Sequence, residues 1–158
     1  MKELASLARL DGSLPLGGLR DRVEVIRDRW GVPHIYARNT HDLFFAQGFV
    51  QAQDRLWQME TYRRTYEGTL SEILGPEYVA HDRLVRLLQP RRPFTDAEYA
   101  HYHPEGRRIL TAFAAGVNAY IAQAGDRLPV EFRLTGIRAG YGSSTVLRDV
   151  EPDLVEQL

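Results

Sequence analysis

Asp54 and Arg55 are by residue type the pair in this chain best equipped for acid–base work, with a carboxylate to move a proton beside a guanidinium to clamp an anion. On a helix, however, sequence neighbours point about 100° apart and do not converge on one bound atom. Their expected use is structural, bonding nearby loops or a partner chain. Gln53 and Glu60 lie on the same stretch and are expected to be buried polar groups with hydrogen-bond partners. His34 shares a strand face with Tyr36, and no serine or carboxylate stands at a catalytic spacing from it, so a packed, hydrogen-bonded histidine is expected. His101 and His103, two apart, could hold a metal from a strand, but no third ligand is evident and a solvated loop is expected.

Two places could supply a nucleophile. Cutting the Gly142–Ser143 bond in GYGSST would expose a serine carrying its own amine base. Only sixteen residues would follow that cut, too few for an oxyanion hole or a core, so an ordinary turn is expected. Met1-Lys2 offers no nucleophilic side chain at the N-terminus, and the chain has no cysteine, which excludes thiolate catalysis, disulfides and thiolate metal sites.

The elements that must position these groups follow from periodicity. Residues 1–19 read as an irregular arm ending in the turn-prone PLGG. VEVIRDRWGVPHIYA reads as a hairpin: Val23 and Val25 share a face, Asp28 to Gly31 turn the chain, and Pro33, which lacks an N–H, suits an edge or a strand start. Thr40 can cap a helix from about Asp42 to Glu67, some 40 Å long at ~1.5 Å per residue. Phe45, Phe49, Ala52, Leu56 and Met59 form one apolar stripe on it, and Leu43, Val50 and Trp57 form a second. A helix apolar on two sides is normally buried on both. Trp57 is therefore expected to anchor packing, and Glu60 stands four before Arg64, the favourable order for an ion pair.

Further on, LSEILG reads as a short helix stopped by Gly75, and Pro76 to Gln89 as another. PRRPF breaks the chain before a second strong helix, with Ile109, Phe113, Val117, Tyr120 and Ala124 on one face and Gly125 as its stop. The fold class is α+β and mostly helical, a hairpin plus a long buried helix. That inventory is short of core: a two-stranded hairpin is marginal alone, and one further amphipathic helix does not cover both stripes.

Net charge is -1, which leaves no basic footprint for nucleic acid and no pull towards an anionic lipid surface. The first residues contain no apolar run of signal-peptide or membrane-spanning length, so a cytoplasmic location is the expectation, with a periplasmic or secreted one if a leader has been removed.

The words V-E-V-I-R-D, G-V-P-H-I-Y-A, A-Q-G-F-V-Q-A-Q-D-R-L-W-Q-M-E, the Arg63-Arg64 pair and G-T-L-S-E-I-L-G follow one another over about fifty residues. In that order they closely resemble the start of the α subunit of the penicillin amidase family of N-terminal-nucleophile hydrolases. AAGVNAYI and LPVEFRLTGI extend the resemblance, giving an α-subunit-like region over residues 20–137 and a divergent tail over 138–158. The resemblance implies an autoproteolytic precursor whose α and β chains share an αββα core. It implies a β chain that begins with the catalytic serine, whose α-amine is the base and whose neighbours form the oxyanion hole. It also implies linear amide substrates, such as acylated β-lactam nuclei or acyl homoserine lactones, and calcium in the complete enzyme, with no cofactor held by this chain. His34, Gln53, Asp54, Arg55, Trp57 and Glu60 then belong to the structural motif, and no catalytic residue lies here. The alternative is a truncated, non-catalytic fragment that binds a partner or has no function.

Overall fold

A computed structural model describes residues 10–88 and 95–141. The PRRPF break and the GYGSST turn, beyond Tyr141, lie outside the described residues. The chain forms a two-stranded antiparallel sheet followed by helices: β1 (Glu24–Arg27), β2 (Pro33–Tyr36), α1 (Thr40–Glu67), α2 (Ser71–Leu74), α3 (Val79–Leu88), α4 (Asp96–Tyr102), α5 (Gly106–Ala124) and α6 (Val130–Thr135).

The hairpin register pairs Val25 with Ile35 and Ile26 with His34, and Pro33 opens β2 opposite Arg27. Its turn is built by Asp28, whose carboxylate accepts from the backbone N–H groups of Trp30 and Val32 at 2.8 and 3.0 Å. Gly31 takes a φ of 79°, the left-handed conformation that glycine adopts without a Cβ penalty.

α1 begins two residues before the predicted Asp42, and its cap one residue before the predicted Thr40. Its cap is Asn39, not Thr40: the Asn39 side chain accepts from the Asp42 N–H at 2.9 Å, while Thr40 is already helical. The helix runs to Gly68, where φ of 66° ends it. It is not straight: Arg55 has φ -142° and ψ 22°, a kink at the second residue of the Asp54–Arg55 pair.

α1 and α5 form the core. Phe49, Val50, Ala52 and Leu56 of α1 meet Ala114, Val117, Tyr120 and Ala124 of α5, with Phe132 of α6 and Tyr141 completing the cluster. Phe49 and Tyr120 meet edge to face at 5.7 Å between ring centres. The buried face of α5 keeps Val117, Tyr120 and Ala124 of the predicted stripe and adds the small residues Ala112, Ala114 and Gly116, while Ile109 and Phe113 are only partly covered. The reason is distance. Gly48 and Gly116 face each other where the helices cross, and a methyl group built on either would overlap backbone of the other helix.

The second α1 stripe splits: Val50 is buried, Leu43 is left exposed, and Trp57 packs its edge on Phe132 at 5.3 Å between ring centres. Trp57→Ala should therefore cost about 3 kcal/mol, the low end for an aromatic truncation because the ring is only partly covered. Denaturant unfolding of the protein checks this, and unchanged stability would remove Trp57 from the packing account. Among the described residues no helix is long and apolar enough to cross a membrane.

Candidate functional site

The polar side chains of the α1 motif sort into two clusters. At the kink, Arg27 of β1 reaches across to α1 and donates to both carboxylate oxygens of Asp54 at 2.8 Å and to Gln53 Oε1 at 3.0 Å. The same guanidinium donates to the Gly31 carbonyl at 3.0 Å, so one arginine ties the hairpin turn to the middle of α1. Asp54 and Gln53 are thus both engaged by one arginine fork. Arg55 is exposed. With Asp54 it borders a groove of about 690 Å³ between the hairpin and α1, which Trp30, Val32, Leu43, Gln47 and Gln51 also line.

Two turns further, Glu60 is fully buried. It accepts from Arg63 Nε at 2.9 Å and from Arg64 Nε at 2.8 Å, and the Tyr141 hydroxyl donates to it at 3.5 Å. Arg64 continues to Glu72 at 2.9 Å. Burial alone would raise the Glu60 pKa, but the hydrogen bonds and charges of Arg63 and Arg64 outweigh it and hold the carboxyl below its usual range. The same arrangement pushes the Tyr141 phenol up, by burial first and by the Glu60 charge second. Glu60 is therefore a permanent anion and Tyr141 a permanent neutral donor near neutral pH, neither poised to exchange a proton.

A hydrogen-bonded histidine is found at position 34, but not a packed one. His34 is exposed, and its Nε2 lies 3.4 Å from Asp28 Oδ2 on the outer face of the hairpin, because the inner face is occupied by the Val25–Ile35 pair and Arg27. His101 lies in the last turn of α4, which ends at Tyr102, and His103 is its C-cap, so the pair sits at an exposed helix end and not on a strand. Among the described residues no three histidine, aspartate or glutamate side chains converge as a metal ion needs, and no calcium-dependent step is assigned to them.

With this geometry the comparisons with known proteins are direct. The family described as penicillin amidase matches residues 22–149. The chain belongs to the penicillin amidase family. It is 44% identical over 132 residues to the penicillin acylase 2 proenzyme of Pseudomonas sp. (strain SE83), covering 84% of this chain and 17% of that protein. It is 40% identical to the penicillin G acylase of Escherichia coli, over 72% of this chain and 14% of that protein. It is 35% identical to the acyl-homoserine lactone acylase QuiP of Pseudomonas aeruginosa, over 86% of this chain and 16% of that protein. The thermostable penicillin G acylase from Alcaligenes faecalis has the same fold over this region, with a TM-score of 0.66 at 34% identity, covering 80% of this chain and 68% of that one. The chain thus spans less than a fifth of the length of these curated relatives.

Within this penicillin amidase segment, residue-by-residue reading overlooks two buried carboxylates. Asp42 accepts from the backbone N–H groups of Arg20 at 2.9 Å and Asp21 at 2.8 Å and from Asn39 Nδ2 at 2.7 Å, fixing the chain before the hairpin to the start of α1. Asp82 on α3 accepts from the N–H groups of Leu70 at 3.1 Å and Ser71 at 2.7 Å, fixing the start of α2. Each follows a histidine, His41 and His81, whose Nδ1 lies 3.0 and 3.4 Å from the carboxylate. The repeated His-Asp word was the available signal, although nothing local says which distant N–H groups it serves.

Burial would raise both pKa values, yet the hydrogen bonds win. The Arg20 N–H leads for Asp42, and Ser71, by hydroxyl and by N–H, leads for Asp82, which falls to about 2. Since an unfolded aspartate titrates near ~3.9, the stability from these groups is complete above about pH 5 and is lost as pH falls through 4 towards 2. Far-UV circular dichroism should show helix loss over that window in the parent protein. In Asp42→Asn and Asp82→Asn the neutral-pH stability should be lower and the acid dependence shallower; an unchanged acid transition in both would remove these carboxylates from the account.

Proposed function

We propose that this chain is the framework, α-subunit portion of an amidohydrolase that cleaves linear amides of acylated substrates. In this reading the serine nucleophile comes from a β chain of the same precursor. The substrate class is taken from relatives whose names are penicillin acylase and acyl-homoserine lactone acylase. The observation that carries the framework role is the engagement of the motif's polar groups. Asp54 and Gln53 hold Arg27, and Glu60 holds Arg63 and Arg64. A carboxylate whose oxygens are already occupied by an arginine is not free to meet a substrate proton. The chemistry then falls to the serine's own α-amine as base and to β-chain donors for the oxyanion, with the acyl group passing through an ester on that serine.

Co-expression of the chain with a family β chain, assayed on a phenylacetyl or long-chain acyl anilide, tests the reading. Turnover is expected from the complex, with none from this chain alone, and Ser143→Ala with Ser144→Ala should leave the complex active. Turnover by the purified chain that those two substitutions abolish would place the nucleophile in GYGSST instead.

A further inference from the structure

α3 sits inside out. Its one buried residue is Asp82, while Leu84, Leu87 and Leu88 are 55%, 79% and 73% exposed. The orientation is locked by polar bonds. Asp82 holds the Leu70 and Ser71 N–H groups, and Arg86 Nε donates to the Gly68 carbonyl at 2.6 Å. Gly68 leaves no room for adjustment, since a Cβ there would stand 2.7 Å from the Asp82 carbonyl oxygen. Rolling α3 to hide its leucines would break these bonds and strand a buried carboxylate, a cost that single exposed leucines do not offset.

The exposed leucines stand at i, i+3 and i+4, the spacing of a helix–helix seam. Arg83 borders the seam, and the helix's one acidic residue is the buried Asp82, so the face is apolar with a cationic margin. We propose that this face is the seat of a helix of the β chain, with apolar residues closing on Leu84, Leu87 and Leu88 and acidic residues facing Arg83. The inference rests on the subunit reading above. Most of the protein that would surround this chain lies elsewhere, since the chain corresponds to 17% of the penicillin acylase 2 proenzyme. An apolar seam with a basic margin selects an amphipathic, acid-flanked helix.

The test is co-expression of the tagged chain with the β chain, measuring the β chain recovered with the tag. Leu84→Gln with Leu87→Gln should lower recovery about tenfold or more, as expected when two central apolar contacts are lost. Arg83→Glu should lower it less, and more so at low salt. Leu87→Ala keeps helix propensity and should give an intermediate loss, while Leu134→Gln, on the equally exposed Leu134 of α6, should change nothing. Full recovery with the double variant would overturn the proposal and leave the subunit reading standing. Failure of the parent chain to capture any β chain would overturn both. Conversion of the isolated chain from dimer to monomer by the double variant, with β capture intact, would assign the face to a second copy and overturn the proposal.

Discussion

Gly116→Ala should abolish accumulation of folded protein, and Gly48→Ala should do nearly as much. A methyl group on Gly116 would overlap the Phe45 carbonyl oxygen and stand 2.8 Å from its carbon and 2.9 Å from the Phe49 nitrogen. On Gly48 it would overlap the Phe113 carbonyl oxygen, with the carbonyl carbon 2.9 Å away. Every one of these neighbours is backbone, so no rotamer change relieves the clash and the two helices must separate. Separation unpacks Phe49, Val117 and Tyr120 together, and the loss should exceed ~3 kcal/mol even after the ~1 kcal/mol that alanine gains in helix propensity. That is a large share of the ~5–15 kcal/mol by which a domain is usually stable. Soluble yield and thermal melting of the protein measure it, with Gly17→Ala as the control, since a Cβ there meets nothing within 4 Å. Wild-type stability in Gly116→Ala would mean that the helices do not cross at this point.

Glu60→Gln should be the most damaging charge-removing substitution. The carboxylate is the shared acceptor of Arg63 and Arg64, whose side chains are only 18% and 11% exposed. Neutralising it leaves two guanidinium groups short of an anion in a mostly dry site, where breaking a buried pair costs about 3–5 kcal/mol. Because the folded pKa of Glu60 is depressed, its contribution is complete above the unfolded value of ~4.3 and is lost as the pH falls below it. Glu60→Gln should thus be unstable at neutral pH and lose comparatively little more in acid. Glu72→Ala removes the exposed end of the same network and should cost under about 1 kcal/mol. Denaturant midpoints of the two variants, compared at pH 7 and pH 4, settle the ranking. Equal costs at pH 7 would show that Glu60 is not the hub.

The two site clusters were unequally legible. Glu60 with Arg64 is a contact within one helix turn, and its spacing alone announces it. Arg27 with Asp54 spans 27 positions, and nothing local to either residue names the other. Tyr141 reaches Glu60 across 81 positions and is itself held by Asn118, which accepts from its backbone N–H at 2.9 Å and donates back to its carbonyl. Those partners could be found only once α1 and α5 were placed side by side.

The sequence by itself determined the local elements and the lineage. The hairpin with its Asp28–Gly31 turn, the long helix closed at Gly68, the short helix before Gly75 and the family words all follow from short-range signals: alternation, period and left-handed glycines. Tertiary structure decided what those elements face. Periodicity reports that a side of a helix is buried, but not by what, so it favoured large residues on α5 where a close glycine crossing admits small ones. On α3, read from the sequence only as a helix, the backbone N–H groups at the start of α2 hold Asp82 inward and the leucines face out. Stranding a buried carboxylate and the two N–H groups it serves competes with leaving leucines in water, and that competition exists only once the chain is folded.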